Sequence, residues 1–142
     1  MSDEWYTPLH IFEALGLEFD LDPCCPITGS VVPAKQTYSL PFDGLTAPWF
    51  GLVWMNPPYS KPGPWVEKWL EHGNGVALVP MSKSRWFHKL WNAETAVINL
   101  EPNLKFMRPD GPDKQIFLGF ILAAVGEIGY QALYRSNLGK VR

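Results

Sequence analysis

Residues 51–79 read Gly51-Leu52-Val53-Trp54-Met55-Asn56-Pro57-Pro58-Tyr59-Ser60-Lys61-Pro62-Gly63-Pro64-Trp65-Val66-Glu67-Lys68-Trp69-Leu70-Glu71-His72-Gly73-Asn74-Gly75-Val76-Ala77-Leu78-Val79. The apolar run Leu52 to Met55 predicts a buried strand. Pro57 and Pro58 stop it, because each fixes φ and lacks a backbone donor, and each biases the residue before it away from helix. Pro64 to His72 predicts an amphipathic helix, with Trp65, Trp69 and Leu70 on one face and Glu67, Lys68 and Glu71 on the other. Gly73-Asn74-Gly75 ends it, and Val76 to Val79 is a second buried strand. Buried strands alternating with a helix argue for a mostly parallel sheet.

The same alternation extends outward. Downstream, Ser84 caps a predicted helix over Arg85 to Asn92, and Thr95 to Leu100 is a third strand. Asn103 to Lys114 reads as a long polar loop. Gln115 to Val125 and Gly129 to Tyr134 read as a closing antiparallel hairpin. Upstream, Thr7 or Asp3 caps a short helix from Pro8 to Leu15, with Gly16 as its stop. Leu17 to Leu21 is a short strand ending at Asp22-Pro23. Residues 23–50 are loop-rich, with strand pieces at Val31-Val32 and Thr37 to Leu40. The expected fold is α/β, a mostly parallel sheet covered on both faces.

The turn after the central strand carries chemistry. Asn56 supplies a carboxamide oxygen and Pro57 a carbonyl, two acceptors for the hydrogens of an exocyclic amine. Tyr59 supplies a ring for stacking. This set suits a planar, amino-bearing substrate such as adenine, whose amine is a poor nucleophile because its lone pair is delocalised. Two aimed acceptors localise that lone pair, and dipoles aimed at developing charge supply a large catalytic effect. A methyl sulfonium held in line could then be attacked without prior deprotonation. A base inside a duplex must first be flipped out. The alternative for the same four residues is a stiff turn with Tyr59 as packing.

Composition limits the classes. The 142 residues make one domain, large enough to bury a substantial core. Hydrophobic content of 46% with 18% charged residues is that of a soluble globular protein. No apolar run suits a membrane span, and nothing resembles an export signal. Cys24 and Cys25 are adjacent, and His10, His72 and His88 are widely spaced, so no metal site is expected. Residues 1–70 hold three basic and eight acidic side chains, whereas residues 71–142 hold nine basic and six acidic. A basic second half facing phosphates and a merely solvated surface both account for that asymmetry.

The chain resembles the amino-methyltransferases that use S-adenosylmethionine, whose motif is Asn/Asp-Pro-Pro-Tyr/Phe/Trp. More closely, it resembles the small phage-type DNA N6-adenine methyltransferases, a Dam-like family. Matching segments are Asp3 to Pro8, Phe19 to Cys24, Asp43 to Leu45, Val53 to Tyr59 and Arg85 to His88, in order over roughly two-thirds of the chain. The resemblance implies a compact Rossmann-like methyltransferase fold, S-adenosylmethionine as cofactor and DNA as partner. It implies catalytic roles for Asn56, Pro57, Pro58 and Tyr59. It implies cofactor contacts for Trp5, Tyr6, Thr7 and Pro8, for Asp22 and Pro23, and for Asp43. The usual Gly-x-Gly after Asp22-Pro23 is missing, and only Gly29 stands in a comparable place. Lys83, Arg85 and Trp86, with Lys105 and Arg108, are candidates for DNA contact. A separate target-recognition domain has no room, which implies weak sequence selectivity or a partner that supplies it. A homodimer would bring two basic halves together. The bacterial host cytoplasm is the expected location.

Two other readings stand beside this one. A methyltransferase acting on RNA or on protein glutamine uses the same turn. A non-catalytic nucleic-acid-binding subunit would keep the fold without turnover, although intact Asn56 and Tyr59 speak against it.

Overall fold

The computed structural model describes residues 6–26, 29–39, 43–101, 105–108, 111–115 and 119–142. Its strands are β1 (Phe19–Asp22), β2 (Ala34–Thr37), β3 (Val53–Met55), β4 (Gly75–Pro80), β5 (Ala96–Asn99), β6 (Lys105–Arg108), β7 (Gly111–Gln115) and β8 (Phe120–Val125). Its helices are α1 (Leu9–Leu15), α2 (Gly63–His72), α3 (Arg85–Asn92) and α4 (Glu127–Ser136).

Six strands form one sheet in the order β2-β1-β3-β4-β8-β5. The first four run parallel, and β8 lies antiparallel between β4 and β5. Side chains alternate between two cores, as a strand period of two requires. Trp54, Leu78, Ile98 and Leu122 face one core with Ile11, Phe12 and Leu15 of α1 and Leu133 of α4. Val53, Met55, Ala77, Val79 and Ile121 face the other with Val66 and Trp69 of α2 and Leu90 of α3. The expected mostly parallel, doubly covered sheet is therefore present. Trp54 anchors the first core, with Phe12 edge-on at 4.8 Å between ring centroids and Phe19 tilted at 5.6 Å.

Several local expectations are corrected. The closing hairpin is not formed: β8 pairs with β4 and β5, and Gly129 to Tyr134 belongs to α4. The apolar residues of that segment repeat at helical spacing, burying Gly129, Ala132 and Leu133. Gly129 lets the helix lie close on the sheet, since a Cβ there would meet the Gly75 carbonyl, Ala124 and Val76. The polar loop from Asn103 to Lys114 contains an antiparallel pair of its own, β6 with β7. Thr7 does not cap α1; Pro8 holds the cap position without a side-chain hydrogen bond, and Gly16 ends the helix in the left-handed region. Asp3 lies outside the described residues. Ser84 does stand at the start of α3, but its carbonyl rather than its hydroxyl receives the helix amides. The strand here is β2, which excludes Val31-Val32 and overlaps the second expected piece at Thr37; Leu40 of that piece lies outside the described residues.

β1 sits between β2 and β3, so the chain leaves it toward opposite sides in succession. Such a switch point opens a crevice beyond the C-terminal ends of the strands. Here those ends are Asp22 and Met55, the residues directly before Pro23 and Asn56.

Candidate active site

Three elements bring their side chains to that crevice. β3 delivers Asn56, β1 delivers Asp22, and the segment entering α1 delivers Tyr6 and Thr7. All four line one pocket, together with Cys24, Ser30, Val31, Val32 and Trp54. Thr7 is buried, and its Oγ1 lies 3.4 Å from Asn56 Nδ2. That bond fixes the carboxamide plane. The opposite atom, Asn56 Oδ1, is buried and has no hydrogen-bond partner. Buried polar atoms are almost always paired, so an unpaired acceptor in a pocket asks for a donor from outside the chain. The Pro57 carbonyl likewise has no partner among the described residues, whereas the Pro58 carbonyl accepts from the Lys61 amide and closes a turn. Of the carbonyls after the strand, one is thus consumed by local structure.

Tyr59 is half-buried. Its ring packs on Phe120 of β8, with centroids 5.7 Å apart. The Phe120 contact shows Tyr59 in a packing role.

Asp22 is 2% exposed. Its Oδ1 accepts from the Cys24 amide at 3.1 Å, and its Oδ2 lies 3.5 Å from Ser30 Oγ. Burial pushes its carboxyl up to about 7, against the opposing pull of those two donors. No cation pairs with it among the described ion pairs, which join His10 to Glu101, Lys35 to Asp20 and Lys89 to Glu67. The Cys24 thiol is pushed up too, first by burial and then by the nearby Asp22, so it stays protonated and inert. Neither cysteine forms a disulfide.

The remaining sequence candidates divide. Pro8 and Pro23 are buried at the same end of the sheet. Asp43 does not line the pocket: it is exposed, and its Oδ1 accepts from the Leu45 amide at 2.9 Å in a local turn. Its neighbour Gly44 nevertheless packs directly on the Pro23 carbonyl, so the turn stands beside β1's end. Trp5 lies outside the described residues. Gly29 adopts φ 124° with open space around it. Lys83 and Arg85 are exposed at the start of α3, beyond the end of β4. Trp86 turns inward against the second core and Phe87, so it supports the surface more than it forms it. Lys105 and Arg108 occupy β6.

Cys24 lies at a pocket, as two reduced cysteines near one would, but sequence reasoning missed Ser30 as a pocket residue. Nothing in its spacing marks it, because only the tertiary structure brings Ser30 to Asp22. It also missed the β6–β7 pair, for which Arg108-Pro109-Asp110-Gly111 was a usable turn signal.

A mostly parallel sheet thus carries the Asn-Pro-Pro-Tyr turn at its switch point. The chain belongs to the DNA N-6-adenine-methyltransferase (Dam) family, which it matches over residues 1–115. Among curated relatives it is similar to the DNA N-6-adenine-methyltransferase of Haemophilus phage HP1 (strain HP1c1), at 36% identity over 75 residues. That match covers 46% of this chain and 39% of the relative, so the chain spans about two-fifths of the relative's length. No solved structure matches it.

Proposed function

We propose that this protein methylates the N6 amine of adenine in DNA, with S-adenosylmethionine as methyl donor, on a Rossmann-like methyltransferase fold. The observation that carries the reading is the unpaired Asn56 Oδ1, buried in the crevice at the end of β3. Family membership supports it, as does the sheet order with its single antiparallel strand inserted next to the last.

The residues divide into three roles. Asn56 Oδ1 and the Pro57 carbonyl accept the two amine hydrogens of adenine and hold its nitrogen toward the cofactor. Pro58 stiffens the turn, and Tyr59 stacks on the base. Thr7 orients the Asn56 carboxamide and, with Trp5, Tyr6 and Pro8, borders the cofactor. Asp22 and Pro23 border its amino-acid end, and Asp43 its adenine end. S-adenosylmethionine fits this set chemically, because it brings positive charge to a buried carboxyl that has no ion pair among the described residues. When bound, it supplies the electrophilic methyl group. Lys83, Arg85, Lys105 and Arg108 contact phosphates without reading sequence.

The test is a transfer assay with S-adenosylmethionine labelled in the methyl group, offered DNA, RNA and protein in parallel. Label in adenine of DNA alone is the expected result. Label in RNA or in protein glutamine would replace the substrate, and no label in any would favour the binding-subunit reading.

A further inference from the structure

We propose that the groove lined by Met81, Lys83, Phe87, His88 and Trp91 holds the DNA strand next to the target adenine, with a neighbouring base stacked on the Phe87–Trp91 pair. This rests on the DNA reading above and adds to it a second contact site.

Position comes first. The groove opens where β4 ends, on the same edge of the sheet as Asn56. A continuous path joins the two. Tyr59 packs on Phe120, Phe120 pairs with Pro80, and the Met81 amide donates to the Gly119 carbonyl at 2.8 Å. Gly119 is also close-packed on Met81, since a Cβ there would lie 2.9 Å from Met81 Sδ. The groove therefore begins one residue past β4, whose last residue pairs with the Phe120 on which Tyr59 packs.

Shape and surface come next. The groove encloses about 450 Å³. Phe87 and Trp91, one turn apart on α3, lie nearly parallel, at 22° with centroids 5.9 Å apart. Trp91 is 49% exposed and Met81 40%. An indole backed by a second ring and open on its other side is a platform for a flat heterocycle. Stacking on such a ring tolerates any base.

Charge selects the occupant. Residues 81–93 include Lys83, Arg85, His88 and Lys89 and no acidic side chain. Lys89 is drawn off to Glu67 at 3.1 Å, but Lys83 and Arg85 have no ion pair among the described residues. An apolar protein partner would gain nothing from cations at the rim, whereas a phosphate-linked strand requires them. The two halves of the site then match the two halves of a nucleotide.

The test uses a fluorescent 20-residue oligothymidine, which contains no adenine and so reads strand binding apart from catalysis. Anisotropy titrations should show Trp91→Ala weakening binding by about 5- to 100-fold. Trp91→Phe should remain within about 3-fold, because the ring is kept. Lys83→Ala should lower the salt slope by about 0.7, the single-strand value per phosphate, while Trp91→Ala leaves the slope unchanged. Unaltered oligothymidine binding by a folded Trp91→Ala variant overturns the proposal. So does wild-type protein that does not bind oligothymidine. Light scattering adds a third overturning outcome: a wild-type dimer that Trp91→Ala splits into monomers of unchanged affinity, which would make this face a contact between copies. Loss of methyl transfer to every substrate, with Trp91-dependent oligothymidine binding retained, would sink the catalytic reading and support the groove.

Discussion

At the scale of single residues, the site turns on two polar groups left without ordinary partners. The Asn56 carboxamide is tied to Thr7 on one side and unpaired on the other. An unsatisfied buried acceptor costs roughly 1–3 kcal/mol, so removing it should not harm the fold. We predict that Asn56→Ala lowers methyl transfer by at least about 10²-fold while leaving the melting temperature unchanged or raised. Single-turnover rates and thermal denaturation measure the two effects; near-normal turnover would refute the assignment. Asp22 makes the opposite kind of prediction, one about pH. Its folded carboxyl sits at about 7 against an ordinary 3.8, so the folded state binds the proton more tightly. The stability it contributes is fully present below about pH 4 and is lost as pH rises through 7. Asp22→Asn cannot ionise and keeps an acceptor for the Cys24 amide. Its advantage over wild type should grow from pH 4 to pH 7, to at most about 4 kcal/mol. Denaturation curves at several pH values decide this, and a gap that is constant with pH would contradict a buried, unpaired carboxyl.

At the scale of elements, α2 does more than cover the sheet. The helical period sets Lys68 on the polar face with Glu67 and Glu71. Val66 and Trp69 are the buried positions, while Trp65 and Leu70 are only half-covered. Lys68 is half-buried as well, because residues 43–50 fold over it. Its Nζ donates to the Leu45 and Ala47 carbonyls, both at 2.6 Å, and stands 5.3 Å from the centre of the Trp49 ring. Trp49 in turn donates through Nε1 to the Gly44 carbonyl at 2.7 Å. The segment carrying Asp43 is thereby clamped to α2 by a cation and an indole. Lys68→Met keeps the stem and removes the cation. We predict a loss of about 1–2 kcal/mol in urea unfolding, reduced from the usual strength of charged hydrogen bonds by partial exposure. Faster proteolytic cutting within 43–50 should accompany it. Wild-type stability in the variant would mean that Trp49 alone holds the segment.

At the scale of the whole molecule, charge is divided along the chain, and the fold gathers part of the basic half beyond the end of β4. Binding to DNA should then depend steeply on salt, with a log–log slope of about −0.9 per phosphate neutralised on duplex. Lys83→Ala and Arg85→Ala should each weaken binding to all sequences alike and flatten that slope by about one unit. A map of methylated adenines on random-sequence DNA should show many contexts. A strict motif of four or more bases would instead direct attention to β6 and β7, since a two-stranded ribbon fits the major groove.

The sequence by itself determined the elements whose signals are local. Leu52 to Met55 had to be a strand that stops at Asn56, because two prolines follow it. Residues 76–79 had to be buried, and Gly16 and Gly73 had to end helices, since each sits where a left-handed residue is needed. The Asn-Pro-Pro-Tyr turn was legible for the same reason, as its chemistry lies in consecutive residues. Tertiary structure decided what depends on distant partners. Residues 129–134 have a composition open to strand or helix, and docking on the sheet through Gly129 made them helix. Thr7 became a partner of Asn56 only because α1 packs across the end of β3, 49 residues away in sequence. Asp22 gained Ser30 as a neighbour only when the tertiary structure brought the two together. Periodicity and turn chemistry act over a few residues, whereas burial and the loss of a hydrogen-bond partner are properties of the packed whole.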